Sequence, residues 1–148
     1  MKRNYGWIPD LPDQRDHVCR AAPPTGLITA VDMRPVQPPV FDQGQLGSCT
    51  GNGIAAELEA QAMAQGAEPT PLSRLFIYYN ERAMEGTITS DAGASIRDGI
   101  KSVATQGVCP ETEWPYVPSK FTVKPGKTCY ADALKYKALL YELSLIHI

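Results

Sequence analysis

The feature that most constrains this chain is a cysteine placed where a glycine-rich loop turns into a helix. The run Gln43-Gly44-Gln45-Leu46-Gly47-Ser48-Cys49-Thr50 leads into Gly51-Asn52-Gly53-Ile54-Ala55-Ala56-Glu57-Leu58-Glu59-Ala60. This spacing predicts a tight loop and then a helix with Cys49 in its first turn. Ser48 is the expected N-cap and Gly66 the expected stop. A thiol in a first turn faces unpaired backbone N–H groups and the positive end of the helix dipole. Both favour the thiolate, the nucleophilic form. Gln43 is placed to bring a side-chain amide back to the same point, where it and the Cys49 N–H would share a developing oxyanion.

The rest of the chain reads as further helices joined by long loops, in keeping with its 13 prolines and 12 glycines. In the first helix Ile54, Leu58 and Met63, with Ala55 and Ala62, make a modest apolar face, and the many small residues predict close neighbours. A second helix starts after Leu72-Ser73, with Ser73 as cap and Leu75, Phe76, Tyr78, Tyr79 and Ala83 packing inward. A third runs from about Ser95 to Gln106, with Ile96, Ile100, Val103 and Ala104 as its apolar stripe and Gly107 as its end. Tyr130 to Lys137 is a candidate short helix, and Leu139 to Ile148 a candidate edge strand. Pro35, Pro38 and Pro39 exclude a central strand between Leu27 and Val40. Tyr5 to Arg20 reads as extended, because Pro9 and Pro12 break any helix. Two readings of that segment stay open: it lies across a cleft, or it is an ordinary arm packed on the domain. The ordinary arm is the expectation.

At the loop around Cys49 the chain resembles the papain-like cysteine peptidases. The Gln-x5-Cys spacing of that family is kept. Leu46 stands where the family usually has a disulfide cysteine, and Thr50 where it usually has tryptophan or tyrosine. Val31-Asp32-Met33-Arg34 is similar to the start of the mature enzymes. Leu72-Ser73 before the second helix and Trp114-Pro115-Tyr116 after Gly107 follow in family order. Asp91-Ala92-Gly93-Ala94 stands where the family has a Cys-Asn-Gly-Gly segment whose backbone pairs with the substrate peptide. Asp91 replaces the partner of the cysteine missing at Leu46, so both members of that family disulfide are absent together. The resemblance covers about Val31 to Tyr116, as expected of a bacterial-type member. It implies an α+β fold, here the helical lobe of a papain-like peptidase with the second, β lobe largely missing. Residues 1–26 are expected as an extended arm and Pro-rich linker, and residues 27–148 as the nucleophile-bearing lobe.

For the site, the resemblance implies Cys49 and Gln43 as catalytic residues and Gly47, Ser48, Gly93 and Ala94 as substrate-binding ones. The family's histidine and asparagine follow the cysteine by about 130–150 residues. Here His17 precedes Cys49 and His147 comes too soon after it, so neither is expected to be catalytic. The expected function is that of a cysteine-type peptidase, inactive as this 148-residue piece. A lobe that binds peptides or proteins without cleaving them is the alternative. The expected partner is a peptide or protein substrate, and no cofactor or metal is expected.

Net charge of −2 without a basic or acidic block argues against nucleic acid or a membrane surface as partner. No export signal precedes the domain, so a cytoplasmic location is expected. The other cysteines, Cys19, Cys109 and Cys129, show no C-x-x-C spacing. They leave room for one disulfide and one free thiol, although buried, reduced cysteines are the preferred reading. Cys109 in particular is expected to be buried and inert.

Overall fold

In the computed structural model, residues 5–18, 26, 30–68, 70–138 and 144–145 are described. The strands are β1 (Trp7–Ile8), β2 (His17–Val18), β3 (Ala94–Ser95) and β4 (Ser144–Leu145). The α-helices are α1 (Cys49–Ala64), α2 (Arg74–Glu85), α3 (Ile96–Gln106) and α4 (Lys127–Ala133). β1 pairs parallel with β3, Trp7 opposite Ala94, and β2 pairs parallel with β4, His17 opposite Ser144. The short helix near the end thus begins and stops a few residues earlier than the sequence suggested. His147 and Cys19 lie outside the described residues.

The helix boundaries follow local chemistry. The Ser73 hydroxyl accepts from the Phe76 N–H and the Ser95 hydroxyl from the Asp98 N–H, capping α2 and α3. Gly86, with φ 74°, closes α2 in the left-handed conformation that glycine tolerates. The α1 cap departs from expectation. Ser48 sits at the N-cap, but its side chain makes no capping bond. Its hydroxyl turns inward, 2.5 Å from the Tyr116 hydroxyl and 3.0 Å from Asn52 Nδ2.

α2 is the centre of the lobe. Every residue from Leu75 to Arg82 is buried, so the helix is enclosed on all sides rather than along one stripe. Phe76 and Ile77 join Ile54 and Ala55 of α1, Val103 of α3 and Ala133 of α4 in one apolar cluster. Leu75 and Tyr78 join Leu46 and Ala94 in a second. Burial of each large apolar side chain contributes about 1.5–3 kcal/mol. The α3 stripe is used differently from the expectation. Its buried residues are Gly99, Ser102 and Val103, while Ile96 is exposed. The small side chains let α3 close on its neighbours: a Cβ on Gly99 would stand 2.4 Å from Ile54 Cδ1.

Enclosure forces the polar residues of α2 to find partners inside the protein. Arg82, fully buried, donates from its side chain to the carbonyls of Tyr78, Ile88, Ser90 and Phe121. Asn80 donates to the Phe76 carbonyl and accepts from the Tyr130 hydroxyl. Glu81, also fully buried, accepts from the Thr50 hydroxyl at 2.5 Å through one carboxyl oxygen. The other oxygen has no hydrogen-bond partner. Burial pushes this carboxyl up to about 8, so it is protonated in the fold near neutrality.

Two outcomes follow from this packing. A Cβ on Gly51 would lie 2.7 Å from the Arg74 carbonyl oxygen, backbone against a helix start. Gly51→Ala should therefore destabilise by about 1–3 kcal/mol, read as a lower urea midpoint with unchanged slope. Glu81 binds its proton more tightly folded than unfolded, so its contribution to stability is full below its ordinary value of 4.5 and fades as pH rises toward about 8. Denaturation at a series of pH values should show Glu81→Gln removing a fall of up to about 1.4 kcal/mol per pH unit across that window. Parallel wild-type and variant curves would show that the carboxyl does not retain its proton.

Candidate active site

Cys49 begins α1, as the sequence predicted, and is half-buried. The loop before it is braced from three directions. The Gln43 side-chain amide donates to the Leu46 carbonyl at 2.9 Å, folding back over the turn. The Tyr116 hydroxyl donates to the Gln43 carbonyl at 3.0 Å and meets Ser48 Oγ on its other side. The Asp91 carboxylate accepts from the Gly47 N–H at 3.0 Å and from the Tyr78 hydroxyl. Asp91 thus ties the loop beside Leu46 to the segment that precedes Gly93.

That segment is shaped for an extended backbone. Gly93 has φ 78° and lies so close to the arm that a Cβ there would stand 1.8 Å from the Gly6 oxygen. The Ala94 N–H donates to the Gly6 carbonyl at 2.9 Å, and the pairing continues through β1 and β3. Gly6 meets Gly47 on its other face, where a Cβ would come within 2.0 Å of the Gly47 oxygen. One residue earlier, the Tyr5 carbonyl accepts from the Cys49 N–H at 3.3 Å. The arm is therefore laid along Gly47, Cys49, Gly93 and Ala94. Arg97 fixes it further on, bonding Asp16 at 2.8 Å through its guanidinium and Asp10 at 3.2 Å through its backbone N–H.

The thiol does not sit in the state that the helix terminus alone would give. Burial, and then the nearby Glu81 carboxyl, push the Cys49 thiol up. The backbone N–H groups of Thr50 and Cys49 pull it down, but less. The expectation of a favoured thiolate is corrected accordingly: desolvation outweighs the helix end. Beside Cys49, a cavity of about 760 Å³ opens between α1 and α3, lined by Trp7, Thr50, Ile54, Leu58, Ile96 and Ile100 among others. The exposed part of the α3 stripe faces this space.

The structure thus brings Gly47, Cys49, Gly93 and Ala94 together around one extended strand. Gln43 reaches the same loop through the Leu46 carbonyl. The Ser48 side chain is fully buried, where it meets Tyr116 and Asn52 and supports the loop. Tyr116, Asp91 and Glu81 were missed as parts of the site. Tyr116 carried a signal, the Trp-Pro-Tyr triplet, which read only as packing. Asp91 carried another, its position opposite Leu46. Glu81 carried none, since a carboxyl 31 residues from its Thr50 partner leaves no local pattern.

No family model matches the chain. It is 39% identical to an uncharacterised peptidase C1-like protein of Acanthamoeba polyphaga mimivirus, over 95% of this chain and 51% of that protein. Xylellain, a cysteine protease from Xylella fastidiosa, superposes with a TM-score of 0.80 at 40% identity, over 97% of this chain and 59% of xylellain's. The chain therefore spans about half to three-fifths of the length of these relatives. A structure from work on the mite allergens Blo t 1 and Der p 1 shares the fold, with a TM-score of 0.58 at 18% identity, over 70% of this chain and 34% of that one. With a cysteine opening the first helix and the Gly93 segment across from it, the chain matches the N-terminal part of the papain-like cysteine peptidases and forms the helical lobe of their fold.

Proposed function

We propose that this chain is the nucleophile-bearing part of a peptidase acting on peptides or proteins, and that its own residues 5–10 occupy the substrate track. Cys49 Sγ would attack the scissile carbonyl carbon after giving its proton to a base, and the collapse of the tetrahedral adduct would release the amine. The Cys49 N–H and the Gln43 amide, which has a second N–H beyond the one given to Leu46, would hold the oxyanion. Gly93 and Ala94 would pair with the substrate backbone.

The observation that carries this reading is the strand already on that track. Ala94 pairs with Gly6, and the Cys49 N–H, the donor proposed for the oxyanion, is held by the Tyr5 carbonyl. A site that accepts one extended backbone at hydrogen-bonding distance accepts another when the first leaves. Neither histidine has the family order, which supports negligible peptide turnover by the 148-residue chain itself. Among the described residues, no helix is long and apolar enough to cross a membrane, which fits the proposed cytoplasmic location without requiring it.

The experiment is alkylation of Cys49 by iodoacetamide, followed by peptide mass spectrometry, with and without the arm's anchor. Asp16 is bonded to Arg97 at 2.8 Å, and this charge-assisted pair anchors the arm. Arg97→Ala should speed Cys49 labelling by up to about tenfold while leaving the buried thiols slow. Gly6→Val, which cannot fit against Gly47, should do the same. Unchanged labelling in both variants would remove the arm from the track. A fluorogenic peptide mixture offered to the Arg97→Ala chain then separates the readings: binding without cleavage, together with failure of Cys49 to react with a peptidyl electrophile, would favour the non-catalytic peptide-binding lobe.

A further inference from the structure

In the apolar cluster around Phe76 and Ile77 of α2, two cysteines distant in sequence meet. Cys109 lies in the segment after α3, and Cys129 lies in α4. Both are free thiols and buried, Cys109 completely and Cys129 with 4% of its surface exposed. Their sulfurs and a carboxylate oxygen of Glu113 lie within 4.8 Å of one another, and the Cys129 thiol donates to the Glu113 carbonyl at 3.9 Å. Glu113 is exposed, so the pair lies beneath a surface residue. The backbone around them is already docked. The Val108 N–H donates to the Tyr136 carbonyl at 3.0 Å, and a Cβ on Gly107 would lie 1.8 Å from the Ala133 oxygen.

We propose that Cys109 and Cys129 are an oxidisable dithiol, which a small disulfide such as oxidised glutathione converts into a covalent clip between α4 and the segment that follows α3. Cys129, the more accessible of the two, attacks the glutathione disulfide as its thiolate. Its proton goes to solvent, and one glutathione leaves as thiolate. Cys109 then attacks the Cys129 sulfur of the mixed disulfide, and the second glutathione leaves. Two protein thiols are oxidised, one glutathione disulfide is reduced to two glutathione molecules, and a single new S–S bond remains.

Several observations support this pair over Cys49. Two sulfurs within 4.8 Å of each other are close enough for side-chain rotation to bring them toward bonding distance, about 2.05 Å. The intervening chain leaves Cys109, passes through Trp114 and the turn at Pro118–Lys120, and returns in α4, so the bond closes a genuine loop. Burial and the facing Cys129 push the Cys109 thiol up, which makes Cys109 slow toward alkylating agents. A tethered mixed disulfide overcomes that slowness, because the second step is intramolecular. The clip would fasten the segment through Tyr136 to the core and leave the Cys49 loop untouched.

The test uses the 148-residue chain with Cys49→Ala, so that the nucleophile takes no part. The chain is equilibrated with oxidised glutathione, then compared with a dithiothreitol-reduced sample by intact mass, peptide mapping and thermal melting. The expected product has lost two hydrogens, yields a peptide joining Cys109 to Cys129, and melts roughly 5–10 °C higher. Cys129→Ser in the same background should lose both the link and the shift. Glutathione retained on one cysteine, a link to Cys19, or two free thiols after equilibration would overturn the proposal. So would a chain isolated with a thiophilic metal ion that shields these thiols until a chelator removes it, since the three donors would then be its ligands.

Discussion

A helix enclosed along eight successive residues sets the terms for this protein. Once Leu75 to Arg82 are all enclosed, the polar side chains there must be answered from within, three of them beside the site. Each answer positions a different part of the site. Arg82 gathers the carbonyls of Ile88 and Ser90 and so shapes the loop that delivers Asp91 and Gly93. Glu81 holds Thr50, the residue after the nucleophile. Tyr78 meets Asp91 and receives the Gly93 N–H at 3.3 Å. The active-site loop and the strand track are therefore fixed to one element, and an error in α2 would be felt in both.

The Asp91 bond shows how this chain does without a covalent link. The resemblance places a disulfide between the positions of Leu46 and Asp91. Here Leu46 is 7% exposed within an apolar cluster, and Asp91 reaches one residue further to the Gly47 N–H. A carboxylate accepting from a backbone N–H and a phenol is a charge-assisted contact, stronger than a neutral hydrogen bond. It holds the same two segments together without depending on an oxidising compartment. It also places an anion near Arg82, whose guanidinium stacks 4.0 Å over the Tyr78 ring. That arrangement disperses the buried positive charge without requiring a paired carboxylate on the same helix.

Much of the lobe was legible in the residues. Helix starts at Ser73 and Ser95, helix ends at Gly66 and Gly107, and the cysteine at the opening of α1 all rest on local rules that act within a turn or two. What was not legible depended on meetings across the chain. The α3 stripe had the right period, but Gly99 and Ser102 took the inner face because α1 and α2 left no room for larger side chains there. Ser48 had capping chemistry, yet Tyr116 offered its hydroxyl a buried partner and won. The arm had no local signal for its destination. Gly6 reads as an ordinary flexible residue until Gly47 and Gly93 close on it from both sides.

The arm and the thiol meet at the same helix end. A helix terminus lowers a thiol's proton affinity through its N–H groups and their partial positive charge. Here the Cys49 N–H also donates to the Tyr5 carbonyl. The Cys49 and Thr50 N–H groups still pull the thiol down, but burial pushes it up by more. Glu81 adds negative charge behind the helix only once it ionises, and its own burial delays that to about pH 8. On the proposed reading, departure of the arm frees the Cys49 N–H from the Tyr5 carbonyl and the Ala94 N–H from the Gly6 carbonyl together, so both donors depend on whether Gly6 stays between its two glycines.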